Sequence, residues 1–154
     1  MDAKPVPDGY RTVTPHLIVK GAAHALDFYR SALGAVVTLR LDMPDGHVAH
    51  AELKIGDSFI MVSDEWPHMN KLSPTSRGGA TGGILLYVED ADAWFKRAID
   101  AGAIAASPMR DEFYGDRTGE ITDPFGHSWT FATHREDLTE AEMQRRLTAM
   151  MKGQ

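Results

Sequence analysis

Residues 19–34 read VKGAAHALDFYRSALG, and residues 88–102 repeat the pattern as VEDADAWFKRAIDAG. Each segment starts at the end of an apolar run, continues with alanine and aromatic residues at helical spacing, and stops at a glycine. A second pair follows in the same order, because IGDSFIM at 55–61 aligns with FGHSWTF at 125–131. This ordered repetition predicts two copies of one supersecondary unit, with a cleft where they meet.

Composition restricts the class of protein and its partners. The 154 residues, 43% of them hydrophobic, suffice for one domain built from two sub-modules. A formal net charge of −6 argues against nucleic acid and against anionic membrane surfaces as partners. Cysteine is absent, no apolar run is long enough to span a bilayer, and residues 1–8 lack the apolar part of a secretory signal. We therefore expect a cytoplasmic protein.

The order of predicted elements indicates an α+β fold. Strand, helix and three further strands follow one another in each half, separated by glycine- and proline-containing turns. The predicted divisions are an N-terminal arm (1–11), a first β-α-β-β-β module (12–63), a linker (64–82), a second β-α-β-β-β module (83–134), and a C-terminal helix and tail (135–154).

The C-terminal helix has its own signals. Thr139 and Glu142 form a capping box, and Met143, Leu147 and Met150 form an apolar stripe. We expect this stripe to pack on its own domain, and contact with a partner subunit is the alternative.

Two phrases inside the repeat carry a family resemblance. ALDFYRSALGA at 25–35 and DPFGHSW at 123–129 resemble the vicinal oxygen chelate superfamily, which includes glyoxalase I, bleomycin-resistance proteins, fosfomycin-modifying enzymes and extradiol dioxygenases. The stretch FYGDRTGEITDPFGHSWTFATH at 113–134 is most similar to the glyoxalase-like branch. The resemblance implies two curled sheets that form an open cavity, and usually a homodimer.

The resemblance also implies where a metal would be held. Metal-dependent members place one ligand near each of four positions, which alignment through the helices and glycine turns puts at Thr14, Ile60, Gly83 and Thr130. A divalent transition metal needs three or more imidazole, carboxylate or thiolate ligands, and none of these residues supplies one. We therefore predict no cofactor at the usual site, with a divalent metal elsewhere as the less favoured alternative.

Strand alternation gives the other candidates for the cavity. If Phe59 and Met61 pack under the first helix, Ile60 faces the cavity. The same alternation, continued to the neighbouring strands and to the second module, adds polar candidates: His16, His50, Glu52 and Glu120, with Thr14 and Thr130 beside them. Two histidines and two carboxylates suit a displaced metal site or an acid–base cluster. The alternative is a solvated sheet face.

Aromatic residues outside the strands are further candidates. Trp66, in the linker, could close over an apolar ligand or pack against its own module. Tyr114 and Arg117 could clamp an aromatic or anionic ligand, or Arg117 could pair with Asp116 or Glu120.

Three functions remain open from the sequence. The first is a glyoxalase- or bleomycin-resistance-like protein that binds a small molecule in the cavity without the usual metal, as a homodimer. The second is a metal-dependent lyase or dioxygenase with a displaced His/Glu site. The third is a non-catalytic interaction module. No residue is assigned a catalytic role.

Overall fold

Each half of the chain builds one four-stranded sheet with one helix on it. The structure, a computed structural model, describes residues 3–153. The first half contains β1 (His16–Val19), α1 (Ala22–Leu33), β2 (Val36–Asp42), β3 (Val48–Ile55) and β4 (Ser58–Asp64). A connection with a short α2 (Pro74–Arg77) leads to β5 (Gly83–Tyr87), α3 (Ala91–Asp100), β6 (Ile104–Asp111), β7 (Asp116–Thr122) and β8 (Ser128–His134), and α4 (Glu140–Lys152) follows.

The two sheets have the same topology. The strand order is β1-β4-β3-β2 in the first sheet and β5-β8-β7-β6 in the second. In each sheet the first strand pairs parallel with the last, and the other pairs are antiparallel. The predicted fold class is therefore confirmed: an α+β fold with two tandem β-α-β-β-β modules, open sheets and a C-terminal helix.

The helices begin and end where the sequence signals predicted. α1 stops at Gly34, whose positive φ of 62° permits the left-handed C-cap. Asp90 caps α3 by accepting a hydrogen bond from the Ala93 N–H. The end of β4 helps to hold the start of α1, because the buried Asp64 carboxylate accepts the N–H groups of Gly21 and Ala22.

Thr133 takes the place of Asp64 in the second module. Its hydroxyl accepts the N–H of Ala91 at the start of α3 and donates to the carbonyl of Val88. Because both residues hold the start of a helix, they occupy equivalent positions in the two modules. Counting back along each strand from these positions makes Met61 of β4 equivalent to Thr130 of β8.

The modules meet through their helix-bearing faces. α1 and α3 pack against each other, and the Tyr29 ring of α1 lies 5.4 Å from the Trp129 ring of β8. Both aromatic side chains are fully buried. The face of each sheet without a helix, called the open face below, therefore takes no part in joining the two modules.

The DPFGHSW motif is a structural junction. Asp123 is 4% exposed and accepts the Tyr29 hydroxyl at 2.6 Å, the Trp129 indole N–H at 2.9 Å, and the backbone N–H groups of Phe125 and His127. The His127 Nε2 lies 2.9 Å from the carbonyl of Ile18 in the first module. This motif, which carried the family resemblance, therefore joins the two modules.

α4 differs from its prediction. Thr139 caps it as expected by accepting from the Glu142 N–H, but the Glu142 carboxylate binds Arg145 and Arg146. None of its residues is buried, and Met150 is 45% exposed. Met143 and Leu147 are half-buried, so the predicted stripe is covered only in part within residues 3–153, and its packing on its own domain stays a prediction. No helix within residues 3–153 is long and apolar enough to cross a membrane.

Candidate functional site

The open faces carry both apolar and polar side chains. Five of their large apolar side chains are exposed by 39–72%: Leu39, Leu41, Leu85, Tyr87 and Ile104. The predicted polar residues His50 and Glu52 lie on the open face of the first sheet, because the alternating Ala51 and Leu53 are buried under the helix. Sequence alternation therefore placed this strand correctly.

Ile60 does not face the cavity, contrary to the prediction. It pairs with Leu53 and is 4% exposed in the core, whereas its neighbour Met61 pairs with Glu52 on the open face. The β3–β4 hairpin has a two-residue loop, Gly56–Asp57, after which Phe59 and Met61 lie on the open face instead of under the first helix, one residue out of step with the predicted alternation. Met61 therefore takes the position that had been assigned to Ile60.

The N-terminal arm lies across the open face of the first sheet. The Tyr10 ring stacks on Phe59, with 4.5 Å between the centroids and 21° between the planes. Gly9 has a φ of +84°, and a Cβ at this position would lie 2.8 Å from the Phe59 ring. Only glycine permits both this backbone conformation and this close approach, so residues 9 and 10 are adapted to dock on the sheet.

A cavity of about 440 Å³ lies between the arm and the sheet. The arm contributes one wall, while the sheet and the approach to β1 contribute the other, and the lining is Pro5, Val6, Pro7, Tyr10, Arg11, Thr12, Thr14, Glu52 and Met61. Known small-molecule sites occupy about 300–1,000 Å³. We call this cavity the arm pocket.

Two polar groups of the arm pocket are unusual. The Tyr10 hydroxyl is buried and has no hydrogen-bond partner among the described residues. Its burial, and secondarily the neighbouring Glu52 carboxylate, raise the pKa of Tyr10 to about 12. Glu52 itself lies 3.3 Å from the Nε2 of His50. Sequence analysis missed Tyr10, because its place in the pocket depends on stacking with Phe59, which is distant in sequence.

The histidines and carboxylates of the predicted displaced site are only partly brought together. The His16 and His50 rings are 6.1 Å apart, and burial, followed by Lys71 and His50, lowers the pKa of His16. Glu120 lies on the second sheet, where it accepts the Ser128 hydroxyl at 2.6 Å. Within residues 3–153 no three His, Asp or Glu side chains are arranged to hold a metal ion.

The three remaining candidates lie away from the arm pocket. Trp66 forms a backbone bridge with Lys71 just after β4. Tyr114 lies in the β6–β7 hairpin, against Phe113. Arg117 binds Asp92 of α3 through two contacts of 2.6 and 2.8 Å, and also contacts Asp111. It therefore fastens α3 to β7, instead of pairing with Asp116 or Glu120.

A second polar cluster, which sequence reasoning did not identify, lies at one end of the second sheet. The buried Asp116 accepts the Tyr87 hydroxyl at 2.7 Å and contacts the Nδ1 of His134 at 2.7 Å. The Nε2 of His134 lies 2.9 Å from Asp137. Hydrogen bonds to Asp137 and Asp116 raise the pKa of His134. Its members lie far apart in sequence, so spacing alone gave no signal.

Comparison with known proteins gives the family. The sequence model of the Glyoxalase/Bleomycin resistance protein/Dioxygenase superfamily matches residues 11–131. The chain belongs to this superfamily. Protein Mb0911c of Mycobacterium bovis is 39% identical over 144 residues, which cover 92% of this chain and 95% of that protein.

Two solved structures have folds similar to that of this chain. TioX from Micromonospora sp. ML1 is 28% identical, with a TM-score of 0.64, and the match covers 80% of this chain and 98% of TioX. The Arabidopsis thaliana product At5g48480 is 31% identical, with a TM-score of 0.62, and the match covers 80% of this chain and 98% of the other.

The metal positions that the resemblance implied for this superfamily do not fit a metal in this chain. With the corrected register they are Thr14, Met61, Gly83 and Thr130. Two hydroxyls, a thioether and a residue without a side chain do not form the donor set that a divalent transition metal requires.

Proposed function

We propose that this protein binds a small organic molecule in the arm pocket. The observation that carries the proposal is a 440 Å³ cavity on the open face, in which Thr14 and Met61, at two of the superfamily's ligand positions, line the wall beside Glu52. Apolar walls with a few polar groups are typical of small-molecule sites. The docked arm supplies the covering wall.

We also propose that the protein works as a homodimer. Exposed apolar side chains on the open faces support this assembly, among them Leu41 at 52% and Tyr87 at 65% exposure. A stable interface buries about 1,200–2,000 Å² in total, and the parts of the open faces that the arm leaves uncovered would have to supply it. Sedimentation equilibrium would measure the mass in solution. Leu41→Arg together with Tyr87→Arg is expected to give a monomer, and a monomeric parent protein would contradict this assembly.

The binding proposal is tested by filling the pocket. In an NMR screen of small aromatic compounds, amide shifts are expected to cluster at Thr14, Glu52 and Met61. Met61→Trp would occupy the cavity and is expected to abolish those shifts. His24→Trp, on an exposed position of α1, is the matched control and should leave them unchanged. Compounds that bind equally well to the Met61→Trp protein would contradict the proposed site.

A further inference from the structure

Glu52 is a partly enclosed negative charge without a strong cationic partner. Its side chain is 22% exposed, and its ion-pair contact is with the imidazole of His50 at 3.3 Å. Within residues 3–153 no lysine or arginine nitrogen lies within ion-pair distance of it. Carboxylates removed from water are normally paired with a cation or with several hydrogen-bond donors. Glu52 is therefore free to accept hydrogen bonds from a bound molecule.

The Tyr10 hydroxyl adds a second oxygen at the same place. It is buried and makes no hydrogen bond of ordinary geometry within residues 3–153, but it lies close enough to the Glu52 carboxylate for a weaker interaction that, after burial, raises its pKa. With a pKa near 12 the hydroxyl stays neutral under physiological conditions, so its oxygen can accept an N–H group from a ligand. Stacking on Phe59 fixes the ring, so the oxygen is held in position before a ligand arrives.

The rest of the arm pocket is suited to an apolar body. Pro5, Val6, Pro7 and Met61 supply aliphatic surface. Arg11 is the one lining residue that would favour an anion, but it lies on the exposed arm, whereas Glu52 lies on the sheet beneath it. The enclosed charge of the pocket is therefore negative.

We infer that the arm pocket selects an organic cation, an amine on an apolar body, whose N–H groups donate to the Glu52 carboxylate and the Tyr10 hydroxyl oxygen. This inference rests on the proposed function, since it names the ligand class of the same site. Charge-assisted hydrogen bonds are shorter and stronger than neutral ones, which gives the pocket a means to discriminate by charge.

Three probes with one aromatic body test the inference: 1-naphthylmethylamine, 1-naphthylmethanol and 1-naphthoate. Calorimetric titration of the full chain at neutral pH compares a cation, a neutral molecule and an anion. The amine is expected to bind at least about ten-fold more tightly than the alcohol, a difference of about 1.4 kcal/mol. The carboxylate should bind most weakly.

Variants locate the discrimination. Glu52→Gln is expected to remove the preference for the amine, so that the affinities for the amine and the alcohol differ by about two-fold or less. Tyr10→Phe should reduce the affinity for the amine several-fold more than the affinity for the alcohol. Glu120→Gln, the corresponding change on the second sheet, is the control and should leave all three affinities unchanged. Melting curves establish that each variant is folded.

The outcomes separate the two proposals. If no probe binds, both the inference and the proposed function are wrong. If the alcohol or the carboxylate binds as tightly as the amine, or if Glu52→Gln keeps the preference, the cation inference is wrong while the binding function stands. An amine preference that Glu52→Gln removes supports both.

Discussion

The Asp123 junction permits a quantitative stability test through Asp123→Asn. The carboxylate receives four donors: the Tyr29 hydroxyl, the Trp129 indole and two backbone N–H groups. In one orientation the asparagine amide turns its NH₂ group toward the Trp129 N–H, which cannot accept. In the other orientation it turns the NH₂ group toward the two backbone N–H groups. At least one buried donor therefore loses its acceptor in either case.

The magnitude follows from these contacts. An unpaired buried donor costs about 1–3 kcal/mol, and hydrogen bonds to a charged acceptor exceed neutral ones by about 1 kcal/mol. Asp123→Asn should therefore lower the free energy of unfolding by about 3 kcal/mol. At this chain length that corresponds to a fall in Tm of roughly 6–12 °C.

The assay is urea unfolding followed by Trp fluorescence, with the free energy of unfolding obtained by linear extrapolation. Asp57→Asn, at an exposed position in the β3–β4 hairpin, is the matched control and should change stability by less than about 0.5 kcal/mol. If Asp123→Asn lies within about 0.5 kcal/mol of the parent protein, the four-donor junction does not stabilise the fold as described.

Three other predictions test the arm, the second polar cluster and the corrected register. Gly9→Ala should loosen the arm, because its Cβ would meet the Phe59 ring, and faster hydrogen exchange of residues 3–10 would reveal this. Because the folded pKa of His134 is raised above its usual 6.5, this residue should stabilise the fold below pH 6.5, and the stabilisation should disappear as pH rises through the folded pKa. His134→Gln should therefore lower the free energy of unfolding most in acid. A loss of stability that does not depend on pH would contradict this. Ile60→Ala should lower the free energy of unfolding in urea by about 2–5 kcal/mol, because Ile60 is buried, whereas Met61→Ala should lower it by about 1 kcal/mol or less. Equal losses in the two variants would contradict the corrected register of β4.

Local sequence signals predicted most of the architecture. Helical spacing and the stop at Gly34 identified α1 with its observed ends, and a capping aspartate identified the start of α3. These signals work because the hydrogen bonds that begin and end a helix are made within a few residues. The fold class followed from finding the same local pattern twice.

The site was less accessible from sequence, because it depends on contacts between distant residues. The candidates Glu52 and Thr14 both line the arm pocket, but Ile60 was exchanged with Met61 because the alternation assumed for β4 was displaced by one residue. Strand alternation has a period of two, so an error of one residue reverses the face. Tyr10 was missed because nothing in its local sequence indicates docking on Phe59.

The bonds that cross from Tyr29 to Asp123 and from His127 to Ile18 have a consequence for the ancestry implied by the repeat. Duplication of a single module, which the repeat implies, would have required groups of this kind to pair between two copies of that module. Each half of the present chain now supplies only one partner of each of these two contacts. Cutting the chain between residues 66 and 82 would therefore give two fragments that fold stably only together. Neither fragment should assemble with a second copy of itself.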